Sequence, residues 1–219
     1  MRAIMESGFS VVYLITVVAL GALMVFRWGG DKQRRLYGIM AIILGCGDAF
    51  HLVPRVFGLL TDTMNERVAS LGLGTLVTSV TMTVFYVLLY HFWCGRYKKP
   101  VKSLLTVFIY ALAICRIALC LFPQNDWFSA DSPLSWGIYR NIPFMIVGAV
   151  IVALFYREAK KANDKQFRFA WLAVLLSFLF YFPVVLWAGS YPAVGALMIP
   201  KTVCYVWLVV MGFMRDKSS

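Results

Sequence analysis

SLGLGTLVTSVTMTVFYVLLYHFW, residues 70–93, runs from Ser70 to Trp93 without one aspartate, glutamate, lysine or arginine. A helix of about 20 such residues crosses a bilayer core about 30 Å thick, so the run predicts a transmembrane helix. Glu66 and Arg67 lie before it, and Arg96, Lys98 and Lys99 lie after it, which fixes both ends. Working outward, six more apolar runs are bounded by charge, proline or glycine: about 8–27, 36–60, 103–122, 137–157, 168–189 and 193–214. Together they use nearly all of the 219 residues, of which 61% are hydrophobic and 14% charged, at a mean hydropathy of +0.77. The expected fold is all-α and integral to the membrane: a single domain over 1–219 of seven transmembrane helices, with no room for a soluble catalytic domain. Glu6, the scarcity of positive charge ahead of the first run and the lack of a small-residue cleavage site argue that this run is retained rather than removed as a signal.

The formal charge of +11 does not point to nucleic acid, because the basic residues stand in short clusters between apolar runs. Arg27, Lys32, Arg34 and Arg35, then Arg96, Lys98, Lys99 and Lys102, then Arg157, Lys160, Lys161, Lys165 and Arg168, and finally Arg215 and Lys217 all fall on one side of a seven-span chain. That side carries 15 of the 21 basic residues, and the positive-inside rule makes it cytoplasmic. The expected topology is N-terminus out and C-terminus in, in a bacterial-type cytoplasmic membrane. Asp62, Glu66, Arg67, Asp126 and Asp131 fall on the opposite side, and Trp127 and Trp136 there, with Trp28 and Trp93 at the basic side, suit interfacial aromatic belts. Cys46, Cys94, Cys115, Cys120 and Cys204 lie in or beside apolar runs without CxxC spacing, so they are expected to pack rather than bind metal.

Ionisable groups inside a span are costly and mark candidate sites. Asp48, His51 and Arg55 of the second span are spaced i, i+3 and i+7, on one helical face, and Pro54 should free a carbonyl near Phe50. Arg116 in the fourth span, Arg140 and Asn141 at the start of the fifth, and Lys201 in the seventh are expected at similar depth, with Thr75, Thr78, Ser79 and Thr81 of the third span adding hydroxyls. Tyr181 belongs to the aromatic wall Phe178 to Trp187 of the sixth span, which Pro183 interrupts. The combined expectation is an outward-facing polar cavity with excess positive charge, suited to an anion. Each feature also has a structural reading. Asp48, His51 and Arg55 can neutralise one another, Lys201 and Arg116 can snorkel, Arg140 can be a helix-end residue, and the hydroxyls can serve helix contact.

A faint internal similarity joins Asp31-Lys32-Gln33-Arg34-Arg35 to Asp164-Lys165-Gln166-Phe167-Arg168, and Gly74 to Tyr86 can be laid on Gly195 to Trp207. Chance similarity between apolar segments with basic ends explains it as well as a duplication does. A duplication would be a parallel repeat of three helices, one linker helix and three helices. In that plan, its length and its outer N-terminus, the chain resembles the seven-helix group of SWEET sugar transporters, PnuC vitamin transporters and microbial rhodopsins. The rhodopsin resemblance implies retinal on Lys201 beside Tyr181, Phe182, Pro183 and Trp187. It departs from that pattern in having no carboxylate in the third span and a tight turn before the seventh.

Function then ranks as follows. Transport or binding of a small anionic solute comes first: Asp48 and His51 would couple protons, and Arg55, Arg116 and Lys201 would hold the anion. An intramembrane enzyme acting on a lipid or lipid-linked substrate is the alternative, with Asp48 and His51 as acid-base pair and Ser79 or water as nucleophile. There is no GxSxG motif, and His51 and His91 fall toward opposite ends of the membrane. The leaning is therefore against an enzyme, with no metal and no cofactor expected and retinal ranked last. Membrane lipid and a small-molecule or lipid ligand are the expected partners; nothing in the sequence names a protein partner.

Overall fold

A computed structural model describes residues 2–27, 30–129 and 132–214. Among these residues lie seven α-helices and no strand: α1 (Arg2–Phe26), α2 (Lys32–Thr61), α3 (Val68–Arg96), α4 (Leu104–Leu121), α5 (Leu134–Lys161), α6 (Ala170–Trp187) and α7 (Met198–Phe213). All seven are long and apolar enough to cross a membrane, the last when counted from Ala193. The chain is a multi-pass integral membrane protein. Trp28, Asp131, Arg215 and Lys217 fall outside the described residues.

Consecutive helices are neighbours and α7 returns to α1, so the helices close into a ring in chain order; α3 also reaches α5 across it, and α2 reaches α7. Tyr37, Phe85, Tyr86, Leu89, Ile151, Phe155 and Phe167 fill the interior, each fully buried or nearly so. One end of the bundle is held by ion pairs from the basic clusters. Arg96 donates to Asp164 at 2.6 and 2.9 Å, and Lys99 lies 2.9 Å from Glu158. This end is the basic end of the bundle.

Several helix limits differ from the sequence reading, for local reasons. Helix α1 begins at Arg2 rather than about residue 8, because Glu6 has a partner in Arg55 of α2 (2.7 Å) and so extends the helix instead of ending it. Helix α7 starts at Met198 rather than about residue 193, because residues Pro192–Leu197 form a 3-10 turn, and Pro200 sits in its first turn, where a missing N–H costs nothing. Pro54, Pro143 and Pro183 do lie inside helices. Trp93 and Trp127 do not form belts. Both are buried, and each indole donates to a backbone carbonyl, Leu154 at 3.2 Å and Cys120 at 2.9 Å, because a buried N–H must be matched.

Close approach between helices comes from missing side chains. A Cβ on Gly74 of α3 would collide with the Phe50 carbonyl, the group that Pro54 one turn later leaves without its helical donor, and a Cβ on Gly47 of α2 would strike Thr81. The hydroxyl stripe of α3 serves this contact, since Thr78 donates to the Gly47 carbonyl at 3.1 Å. Replacing Gly74 by Ala is expected to cost about 1–3 kcal/mol by overpacking. Gly195→Ala, with open space around it, should leave the melting temperature in detergent unchanged. Equal melting temperatures for the two variants would contradict this account of the α2–α3 contact.

The two similar segments share an aspartate turn but not its place, since Asp31 caps α2 directly and Asp164 lies six residues ahead of α6. Asp31 accepts from the N–H groups of Gln33 and Arg34 (2.9 and 3.3 Å), and Asp164 accepts from those of Gln166 and Phe167 (3.0 and 3.1 Å). Both are aspartate turns. Gln166 also donates to the carbonyls of Met211 and Met214 at the end of α7.

Asp164 stands in the α5–α6 loop. Burial pushes its carboxyl up, but the Arg96 hydrogen bonds, the Phe167 N–H, the Arg96 charge and the Tyr97 hydroxyl outweigh that and hold it below the usual carboxylate range. A depressed folded value contributes stability that is complete above the unfolded value of about 3.9 and lost as pH falls through the folded one. Wild-type protein should therefore lose thermal stability below about pH 4, whereas Asp164→Asn should start lower at neutral pH and fall less. Identical acid limbs in the two proteins would refute the assignment.

Candidate functional site

On one face of α1, Glu6 and Tyr13 are two turns apart, as are Arg55 and Asp48 on α2. The helices run antiparallel, so the pairs meet in register. Arg55 binds Glu6 (2.7 Å from Nε), and the Tyr13 hydroxyl donates to Asp48 Oδ2 at 2.6 Å. His51, between them, turns the other way, toward α3. Its Nδ1 lies 3.1 Å from the Thr75 hydroxyl and 3.3 Å from the Leu71 carbonyl. The Thr75 hydroxyl already donates to Leu71 at 2.8 Å, so Nδ1 is assigned the hydrogen and Nε2 is left as the acceptor. The predicted stack is thus three separate contacts. Asp48, His51 and Arg55 do not neutralise one another, and no hydrogen bond joins Asp48 to His51 among the described residues.

A second group occupies the interior, where α3, α4, α5, α6 and α7 converge. Arg116 of α4 is 2% exposed, and its guanidinium carbon lies 3.4 Å from the centre of the Phe144 ring. Among the described residues, its Nε and Nη1 are buried and have no hydrogen-bond partner. Lys201 of α7, 8% exposed, places Nζ 4.5 Å from the Tyr181 ring centre and 5.7 Å from that of Tyr205, and its charge interacts with both Asp48 and Arg116. The Tyr181 hydroxyl donates to Asn141 Oδ1 at 3.0 Å, and Tyr86 and Tyr205 share a hydroxyl contact of 3.3 Å. Tyr86, Phe144 and Phe178 form an edge-on aromatic cluster, with ring centres 4.9 to 5.5 Å apart, that walls this interior.

The chain matches no protein family, no curated protein and no solved structure. What the site does must be argued from its own chemistry.

Of the predicted site residues, Arg116, Lys201, Asn141 and Tyr181 come together, with Asp48 at their edge through the charge of Lys201. Arg140 leaves the group. It donates to Asn125 Oδ1 at 2.7 Å and lies 4.3 Å over Trp127, so it braces the α4–α5 loop. Ser79 is satisfied within α3, donating to the Thr75 carbonyl at 2.7 Å. His51 and Arg55 line a separate cleft of about 60 Å3 with Glu6, Tyr13 and Thr202, room for about two waters. Arg116, Lys201, Arg140 and Asn141 do not line that cleft. Glu6, Tyr13 and Asn125 were missed by sequence reasoning. The two-turn spacing shared by α1 and α2 was the available signal for the first two; nothing marked Asn125.

A buried cation with two unmatched donors is out of balance. Each unmatched donor costs about 1–3 kcal/mol, and an unpaired buried charge several. The Phe144 contact recovers about 2 kcal/mol at a desolvated site. Nε–H and Nη1 face opposite edges of the guanidinium, so each needs its own acceptor, and the space that Arg116 lines with Thr83, Tyr86, Pro143 and Phe144 has no room for a water until these side chains part.

Proposed function

We propose that the protein binds a small anionic solute between Arg116 and Lys201 and carries it across the membrane. The observation that carries this reading is Arg116, held at 2% exposure with Nε and Nη1 unpartnered. The anion would sit where Arg116 supplies a charge and one N–H donor, Lys201 a point charge, and the tyrosine hydroxyls neutral donors. Asp48 offsets part of the Lys201 charge and leaves that of Arg116 uncompensated; His51, with Nε2 as acceptor, lines the cleft between α1, α2 and α7 and is placed to accept a proton there. In this reading the N-terminus faces outward and the basic end the cytoplasm, which the ion-paired basic clusters support. The similar aspartate turns at Asp31 and Asp164 support a duplicated three-one-three plan whose halves move against one another. The intramembrane-enzyme alternative gains nothing from the geometry, because Asp48 and His51 turn to different helices.

The test is a thermal-stability panel on purified protein with phosphate, sulfate, monocarboxylates and dicarboxylates at matched ionic strength, followed by uptake of the best anion into proteoliposomes. One anion class should raise the melting temperature above the chloride control and be taken up. No shift for any anion, with no flux, would remove the proposal.

A further inference from the structure

The α5–α6 side of the bundle carries another cavity, which shares the Phe178 ring with the wall of the Arg116 site. A groove of about 550 Å3 runs between the two helices, walled by Met145, Gly148 and Val152 from α5 and by Leu175, Phe178 and Phe182 from α6. From Met145 to Tyr156 it extends about 16 Å along the helix, about half of a 30 Å bilayer core. At Tyr156 and Trp171 it meets a second cavity of about 340 Å3 at the basic end, lined by Lys160, Asn163, Asp164, Lys165 and Arg168. The acidic member of that cavity is already engaged, since Asp164 is held by Arg96 and by the turn at Gln166 and Phe167. Lys160, Lys165 and Arg168 are exposed, and among the described residues none is in an ion pair. The result is an apolar slot one leaflet deep, ending at three uncompensated cations.

We propose that this composite cavity is a binding site for one anionic phospholipid, with an acyl chain in the α5–α6 groove and the headgroup phosphate among Lys160, Lys165 and Arg168. Charge complementarity selects the occupant. A neutral lipid would fill the groove but leave the cations unmatched, and a soluble anion would leave the groove empty. Tyr156 and Trp171 stand at the junction, where the ester region of such a lipid lies, the depth that amphipathic aromatic rings prefer.

The probe is native mass spectrometry of the protein taken from bilayers of equal parts phosphatidylglycerol and phosphatidylcholine. Wild type should retain one phosphatidylglycerol in preference to phosphatidylcholine by roughly tenfold. The triple variant Lys160→Gln, Lys165→Gln, Arg168→Gln should lose that preference. Lys32→Gln, Arg34→Gln, Arg35→Gln, which removes as much charge at the same end, should keep it. Ala153→Phe, which fills the groove wall, should lose bound lipid of both kinds. Equal retention of the two lipids by wild type, or equal loss of preference in both charge variants, would overturn the site and leave only general attraction to an anionic surface.

Discussion

Replacing Arg116 by Met is expected to leave the ligand-free protein about as stable as wild type while abolishing its response to anions. A side chain that only held the fold together would do the reverse. Arg116 is buried, has no ion-pair partner among the described residues, and leaves Nε and Nη1 unmatched. Exchanging buried ion pairs for apolar residues of similar volume is neutral or stabilising by about 1–4 kcal/mol, and Arg116 has no counter-charge to strand. Loss of the Phe144 contact subtracts about 2 kcal/mol, so the net change runs from about 2 kcal/mol destabilising to about 2 kcal/mol stabilising. The check is thermal unfolding of both proteins with and without saturating anion. Destabilisation of the ligand-free variant by several kcal/mol would make Arg116 a structural residue. A retained anion shift would place the site elsewhere.

Asp48 and Lys201 should move anion affinity in opposite directions. Lys201 contributes positive charge to the proposed site and Asp48 withdraws part of it. Lys201→Met should weaken anion binding by at least tenfold, an ordinary cost for a desolvated charge contact. Asp48→Asn keeps an oxygen to accept from Tyr13 and removes the competing charge, so it should tighten binding while stopping transport. The double variant should fall short of the sum of the two effects, because Asp48 acts through Lys201. Equilibrium binding and proteoliposome flux on the same four proteins check this. Weaker binding in Asp48→Asn would refute the electrostatic arrangement.

The seven helices were legible because lipid leaves the chain no choice. Every backbone group must be satisfied within a helix, so span length and apolarity are written directly into runs such as 70–93. Helix α1 was read short because Glu6 looks like a boundary until Arg55, 49 residues away, is seen to pair with it. The same limit governs the site. The spacing of Asp48, His51 and Arg55 announced a polar face, but it could not say that Tyr13, Thr75 and Glu6 would each take one member away. Arg116 was legible as a charge in an apolar run. Its lack of an ion-pair partner is a property of how α4 packs, with the guanidinium laid on the Phe144 ring of α5. Arg140 looked equivalent in the sequence and is not, because the loop after α4 folds back and supplies Asn125.

The most direct measurement is mass spectrometry of the small molecules released from gently extracted wild-type protein and from Arg116→Met. The account predicts an anionic compound, stoichiometric with the wild-type protein and missing from the variant, while lipid carried on the outer surface is the same in both. The same small molecules in both proteins, or none in either, would contradict an anion site at Arg116.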